Sequence, residues 1–285
     1  IGRATALQLA RLGAQVVVMG RRAENLAETA AIGMQEGTLP ITSVAVDLRE
    51  FDQVGAALDT VLGQHGRIDL LVNNAGGQFL APAESVSANG FRAVTRLNLD
   101  APWYLTTRIA ARSMIPNGYG KVVSVTMTPL RGIPYMAHSS AARAGVESLT
   151  RTLAVEWAGH GIRLVAVAPG IVHTEAWEGY GLAPEAVAKV VPAGRLQTPE
   201  DVASVIAFFL SPGGDYVTGA TIVADAASVW SGVDVVAKLH MPEPGEAAAA
   251  PAGADAGCDR TGAEIDSGCG RGVSIRPRSG RMIRK

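Results

Sequence analysis

Leu70-Leu-Val-Asn-Asn-Ala-Gly-Gly-Gln-Phe79 is the stretch that decides the fold. An apolar run reaches an Asn-Asn-Ala-Gly turn, the pattern of a buried parallel strand ending where backbone comes close to something else. Outward from it, strand and helix patterns alternate. Strands are expected at Gln15–Met19, Ile41–Val46, Leu70–Asn73, Lys121–Thr126, Ile162–Ala168 and Ala220–Ala224. Helices are expected at Arg22–Ala31, Phe51–Gln64, Ser87–Leu97, Pro102–Ile115, Ser139–Gly159 and from Thr198 to Leu210. This βαβ rhythm predicts an α/β fold, a doubly wound parallel sheet in a single domain over residues 1–230, with ligands at the carboxyl ends of the strands.

Composition agrees. Hydrophobic residues are 48% and charged residues 18% of the 285, the balance of a globular chain with a large core. No apolar run reaches the ~20 residues of a membrane span. A formal net charge of −1 gives no overall attraction to nucleic acid. No histidines stand at metal-ligand spacing. Cys258 and Cys269 both lie near the C-terminal end, and a body without cysteine fits a reducing compartment, so a cytoplasmic setting is expected. Residues 231–285 read as a low-complexity tail. Met241–Gly257 is rich in Ala, Pro, Glu and Gly, and Gly270–Lys285 carries six basic residues and no acidic one.

Asn73-Asn74-Ala75-Gly76 resembles the NNAG signature of the short-chain dehydrogenase/reductase family, and the chain is similar to its trans-2-enoyl-CoA and 2,4-dienoyl-CoA reductase branch, Gly77-Gln78-Phe79-Leu80 favouring the former. The resemblance implies a Rossmann fold, a nicotinamide cofactor, a small acyl thioester substrate and a homotetramer, with no nucleic acid or membrane partner. Ile1-Gly2 matches the end of the family's glycine-rich phosphate loop, and Ile1–Leu7 already reads as a helix in progress. The first strand and most of that loop are therefore expected to be missing, leaving two central strands with unpaired backbone, a marginal fold and weak NADPH binding.

By the same resemblance, Asp47 and Leu48 contact the adenine, Asn74, Ala75 and Gly76 lie over the cofactor ribose, and the loop Pro169-Gly170 to Thr174 closes on the nicotinamide amide. Arg21 and Arg22 follow the strand end where NAD-selective folds place a carboxylate. Two guanidiniums suit a 2′-phosphate, which points to NADP(H), although exposed helix-entry charges would look the same.

The family's Asn, Ser, Tyr and Lys set maps onto Asn98, Thr126, Ser139 and Arg143, aligned on the Ala-Gly-Val after Arg143. Arg143 would also hold cofactor ribose. Three members differ from the usual set: threonine replaces the serine, serine the phenol and arginine the lysine. Serine is too weak an acid for alcohol–carbonyl interconversion. Reduction of a conjugated enoyl thioester asks only for donors at the thioester oxygen, which Ser139 and Thr126 supply. Gln78, Phe79 and Tyr135 are candidate substrate contacts. Two other readings stay open: an alcohol or aldehyde dehydrogenase on a branched or terpenoid substrate, using Tyr135 as acid, and a non-enzymatic scaffold. Trp103, Trp157 and Trp177 are expected in the core or a pocket wall, and Leu149, Leu153 and Trp157 form a helical stripe that is buried or faces a subunit. Asp225-Ala226-Ala227 stands where the family has Asp-Gly-Gly. Alanine resists positive φ, so a different turn is expected.

Overall fold

The computed structural model describes residues 1–127, 133–174 and 183–231, together with the backbone of 272–276. Trp177, both cysteines and the Ala/Pro-rich stretch lie outside the described residues. The elements are α1 Gly2–Arg11, β1 Gln15–Gly20, α2 Ala23–Gln35, β2 Thr42–Ala45, α3 Phe51–His65, β3 Leu70–Asn73, α4 Ala88–Thr95, α5 Ala101–Ile109, α6 Ile115–Asn117, β4 Gly120–Val125, α7 Ala137–Trp157, β5 Ile162–Pro169, α8 Pro184–Ala188, α9 Pro199–Leu210, β6 Ala220–Ala224 and β7 Gly272–Arg276.

The sheet order is β2-β1-β7-β3-β4-β5-β6. The pairs β1–β2, β3–β4, β4–β5 and β5–β6 are parallel, which is the doubly wound sheet expected. Strands β1, β3, β4 and β5 carry apolar runs, Val16–Met19, Leu70–Val72, Val122–Val123 and Leu164–Ala168, because helices cover both faces of the sheet. One face packs Val17, Met19, Leu71, Val122 and Leu164 against α3, α5 and α7. The other packs Val16, Val18, Leu70, Val72, Val123 and Val165 against α1, α2 and α9. Leu153 and Trp157 join the first layer, whereas Trp103 is exposed and meets the Tyr104 ring edge-on at 6.4 Å. Helix α9 starts with a capping box: Thr198 Oγ1 accepts from Asp201 N–H and the Asp201 carboxylate accepts from Thr198 N–H, with Pro199 in the first turn.

Three features depart from expectation. First, β1 and β3 do not expose unpaired edges. Strand β7, from within the segment read as a tail, lies between them and is antiparallel to both, pairing Val17 with Ser274 and Leu71 with Ser274. Second, the two helices expected around Asn98 form one helical run. It passes through two π-helical segments, Arg96–Asp100 and Ala110–Met114, so no break separates α4 from α6. Third, Ala226 and Ala227 do take positive φ, 55° and 63°. That costs each about 1–2 kcal/mol. Asp225 offsets part of it by accepting from Val229 N–H (2.8 Å) through its carboxylate and from Ser228 through its carbonyl.

Candidate active site

The carboxyl ends of β3, β4 and β5 converge on the start of α7. Asn73, the last residue of β3, donates to Thr106 Oγ1 (2.9 Å) and Ser124 Oγ (3.2 Å), tying β3 to α5 and β4. The chain then runs through buried Asn74 and Ala75 to Gly76 and Gly77. The π-helical turn lets fully buried Asn98 reach this loop. Its Oδ1 accepts from Gly77 N–H (3.0 Å) and its Nδ2 donates to Gly77 C=O (2.6 Å), so the amide is spent on holding the loop. A Cβ on Gly76 would overlap Arg143 Nη2 and lie 2.7 Å from Asn98 Oδ1. Backbone, guanidinium and amide are in close contact there.

Ser139 and Arg143 project from successive turns of α7. Arg143 Nη1 donates to the Val125 carbonyl at the end of β4. The residue keeps some accessible surface, but its guanidinium is enclosed by protein, and burial lowers its pKa to about 10. It therefore remains a cation at neutral pH. Ser139 Oγ donates to Gln78 Oε1 at 2.7 Å. Phe79 meets the His138 ring edge-on at 4.3 Å. His138 is fully buried and accepts from Ser139 N–H through Nδ1, and burial holds it below the usual histidine range. The Tyr135 carbonyl accepts from Ala81 N–H (3.0 Å), and its φ of 65° turns the chain against the Gln78–Leu80 segment. Thr126 closes β4, its N–H donating to Val167 C=O at 2.7 Å and its hydroxyl donating to the same oxygen at 3.3 Å.

The expected cofactor positions lie along the same edge. Gly2 is buried at the start of α1, whose first turn has no side-chain cap and no acidic residue, leaving a positive helix end. Exposed Arg21 and Arg22 follow β1. In the amide orientation that satisfies both groups, Asn25 Oδ1 accepts from Arg22 at 2.8 and 2.9 Å, which fits helix entry as well as phosphate recognition. Leu48 is buried. Asp47 is partly buried, which opposes ionisation, but bonds from Arg49 and the field of Arg21 hold it below the usual carboxylate range. Pro169 ends β5, and Gly170 and Thr174 lie on the following loop, fastened by Gln197, which accepts from Gly170 N–H (3.0 Å) and His173 N–H (2.8 Å) and donates to Ile171 C=O (3.0 Å). The uncapped helix start, the paired arginines and the side-chain-free approach at Gly76 suit a dinucleotide. Among the described residues no cluster suits a metal ion and no helix is long and apolar enough to cross a membrane.

A family model described as Enoyl-(Acyl carrier protein) reductase matches residues 1–226. The chain belongs to the short-chain dehydrogenase/reductase family. It is thus an oxidoreductase of a family that binds nicotinamide cofactors. It is 37% identical over 232 residues to a probable 2,4-dienoyl-CoA reductase of Bacillus subtilis (strain 168), covering 79% of this chain and 91% of that protein. The solved citronellol catabolism dehydrogenase of Pseudomonas aeruginosa PAO1 is 40% identical with a TM-score of 0.71, covering 80% of this chain and 89% of that one. A gluconate 5-dehydrogenase from Burkholderia cenocepacia J2315, solved with NADP and tartrate, is 30% identical with a TM-score of 0.74, covering 80% and 90%. As in these relatives, the fold of this short-chain dehydrogenase/reductase is Rossmann-like.

Sequence reasoning missed three groups: Arg49, which clamps Asp47; Gln197, which pins the Pro169–Thr174 loop; and Glu147, buried one turn beyond Arg143. Only Glu147 left a trace in the sequence, through its spacing of four from Arg143.

Proposed function

We propose that this protein is an NADPH-dependent reductase of a conjugated enoyl thioester, a trans-2-enoyl-CoA. The observation that carries the reading is Ser139. One turn before Arg143 stands a hydroxyl bonded to Gln78, where alcohol chemistry needs a phenol. When bound, the nicotinamide supplies the hydride that adds at the β-carbon. The chain's own residues hold and polarise. Ser139 and Thr126 donate to the thioester oxygen as negative charge develops there, and neither has to ionise. Ser139 has one hydroxyl hydrogen, so its bond to Gln78 Oε1 gives way to one in which the turned Gln78 amide donates to Ser139 Oγ and leaves that hydrogen for the substrate. Arg143 holds the ribose hydroxyls and keeps a permanent positive field beside Gly76. Arg21 and Arg22 take the 2′-phosphate. The α-carbon takes its proton from water. The dienoyl-CoA reductase relative supports the thioester class, and the NADP-bound gluconate dehydrogenase supports the cofactor. A cytoplasmic homotetramer belongs to the same reading, with exposed Trp103 and Val155 as apolar material for subunit contacts.

Steady-state assays with NADPH should show turnover of trans-2-enoyl-CoA and none of simple secondary alcohols. Ser139→Ala should slow the thioester reaction by roughly ten- to a thousandfold without abolishing it, as loss of one neutral donor does. Tyr135→Phe should change it little. A second reading, a dehydrogenase of a branched or terpenoid alcohol, draws on the citronellol dehydrogenase relative and on the turn that brings Tyr135 against Ala81. If Tyr135→Phe is dead on an alcohol and Ser139→Ala is healthy, that reading replaces the first. Replacing Arg21 and Arg22 together by Ala should remove most of the preference for NADPH over NADH, a loss on the order of tenfold or more for a charge-assisted phosphate contact. An unchanged ratio of kcat/KM for the two cofactors would leave the arginines as helix-entry charges.

A further inference from the structure

Glu147 has no part in the reading above. It is 7% exposed, sits on α7 one turn beyond Arg143, and faces the hydroxyls of Thr126, just past the end of β4, and Thr221 on β6. Its Oε1 and Thr221 Oγ1 are buried and take no hydrogen bond, while the Thr126 hydroxyl is spent on Val167 C=O at 3.3 Å, a long bond. An ionised carboxylate in such a place is costly without a paired cation. Among the described residues, the charge acting on it appreciably is Arg151, a turn further along α7. The neighbouring Arg143 is committed to Val125 C=O. The facing groups at the end of β4 and on β6 are the two neutral hydroxyls.

We propose that Glu147 is a positioning residue that works as a neutral carboxylic acid, donating to Thr126 Oγ1 and so turning the Thr126 hydroxyl hydrogen away from Val167 towards the substrate oxygen. No proton is consumed. Glu147 O–H, Thr126 O–H and the developing oxyanion form one chain of donors, each polarising the next. The inference rests on the reading that Thr126 faces the thioester oxygen. Burial also raises the Glu147 pKa, with Arg151, Thr221 and Thr126 opposing in that order. The sign follows. The arrangement is present while Glu147 is protonated and is lost as pH rises through its raised pKa, because the ionised group accepts from Thr126 and withdraws that hydrogen from the substrate.

The test uses the full chain. Glu147→Gln keeps an N–H donor and cannot ionise, so it should retain kcat within a few-fold of the enzyme with protonated Glu147 and lose the alkaline fall in kcat, meaning the fall as pH rises through the raised Glu147 pKa. Glu147→Leu should lower kcat roughly tenfold with KM little changed, a fraction of what removing an oxyanion donor itself costs. An alkaline fall that persists in Glu147→Gln overturns the proposal. A second measurement needs no turnover. In protein carrying ¹³C-labelled glutamate carboxyls, the Glu147 signal should titrate above the ordinary range, with a midpoint that moves in Thr126→Val. An ordinary midpoint, or one indifferent to Thr126, also overturns it. A high midpoint that moves with Thr126, in a protein that reduces no enoyl thioester, would support the Glu147–Thr126 link and refute the substrate reading instead.

Discussion

Gly76→Ala is expected to lower kcat/KM by about a hundredfold or more, since a displacement of about 1 Å at a positioned group costs that much. The new methyl would overlap Arg143 Nη2 and lie 2.7 Å from Asn98 Oδ1. Arg143 is the softer partner, but its guanidinium is enclosed and bonded to Val125 C=O, so moving it gives up that bond and the field beside the loop. Asn98 has less freedom, because both ends of its amide are bonded to Gly77. The damage should fall on activity and cofactor binding, with a thermal midpoint within a few degrees of the parent. Near-normal turnover in the alanine variant would mean that this close approach does not shape the working site.

Gly161→Ala should produce the largest loss of stability of any single change considered. Gly161 has φ of 72° in the tight link between α7 and β5, and a Cβ there would overlap the Gly118 carbonyl oxygen. Positive φ costs an alanine about 1–2 kcal/mol, and displacing packed backbone adds typically 1–3 kcal/mol. Roughly 3 kcal/mol corresponds to a fall in Tm on the order of 10 °C for a domain of this size. Gly13→Ala is the control: its φ is 85° but a Cβ would meet nothing within 4 Å. It should show the conformational cost alone, about half the effect of Gly161→Ala. Equal shifts in the two melting curves would remove the overlap from the explanation.

Much of this architecture was legible because parallel strands buried on both faces are written as apolar runs and the turns after them as Asn, Gly and Pro. Leu70–Asn73 and Ala220–Ala224 match residue for residue. Ser139 and Arg143 were singled out by the family resemblance, aligned on the Ala-Gly-Val after Arg143, and their spacing of four sets them on successive turns of α7. The join through Asn98 was not, since a π-helical turn uses the same residue types as an α-helical one and differs only in which carbonyl each N–H meets. Glu147 reads as one more surface charge until β4 and β6 are placed against it. Ala226 and Ala227 show a local preference overruled by neighbours, the Asp225 carboxylate and carbonyl fixing the turn that glycine would have taken more easily. β7 was the least legible, because five residues amid glycines and arginines carry no period that separates them from their surroundings.

That strand also sets an order in time. The centre of the sheet joins Gln15 to Arg276 and Leu70 to Ile275, residues from distant parts of the chain. On the ribosome, β1 and β3 emerge long before residue 276, and their facing edges have to wait. Contacts of such long sequence range make folding slow. During the wait the gap between β1 and β3 is open to any extended segment, including one from another copy. The speed at which this protein matures, and the concentration at which it does so cleanly, therefore depend on five residues far along the sequence from every candidate catalytic group.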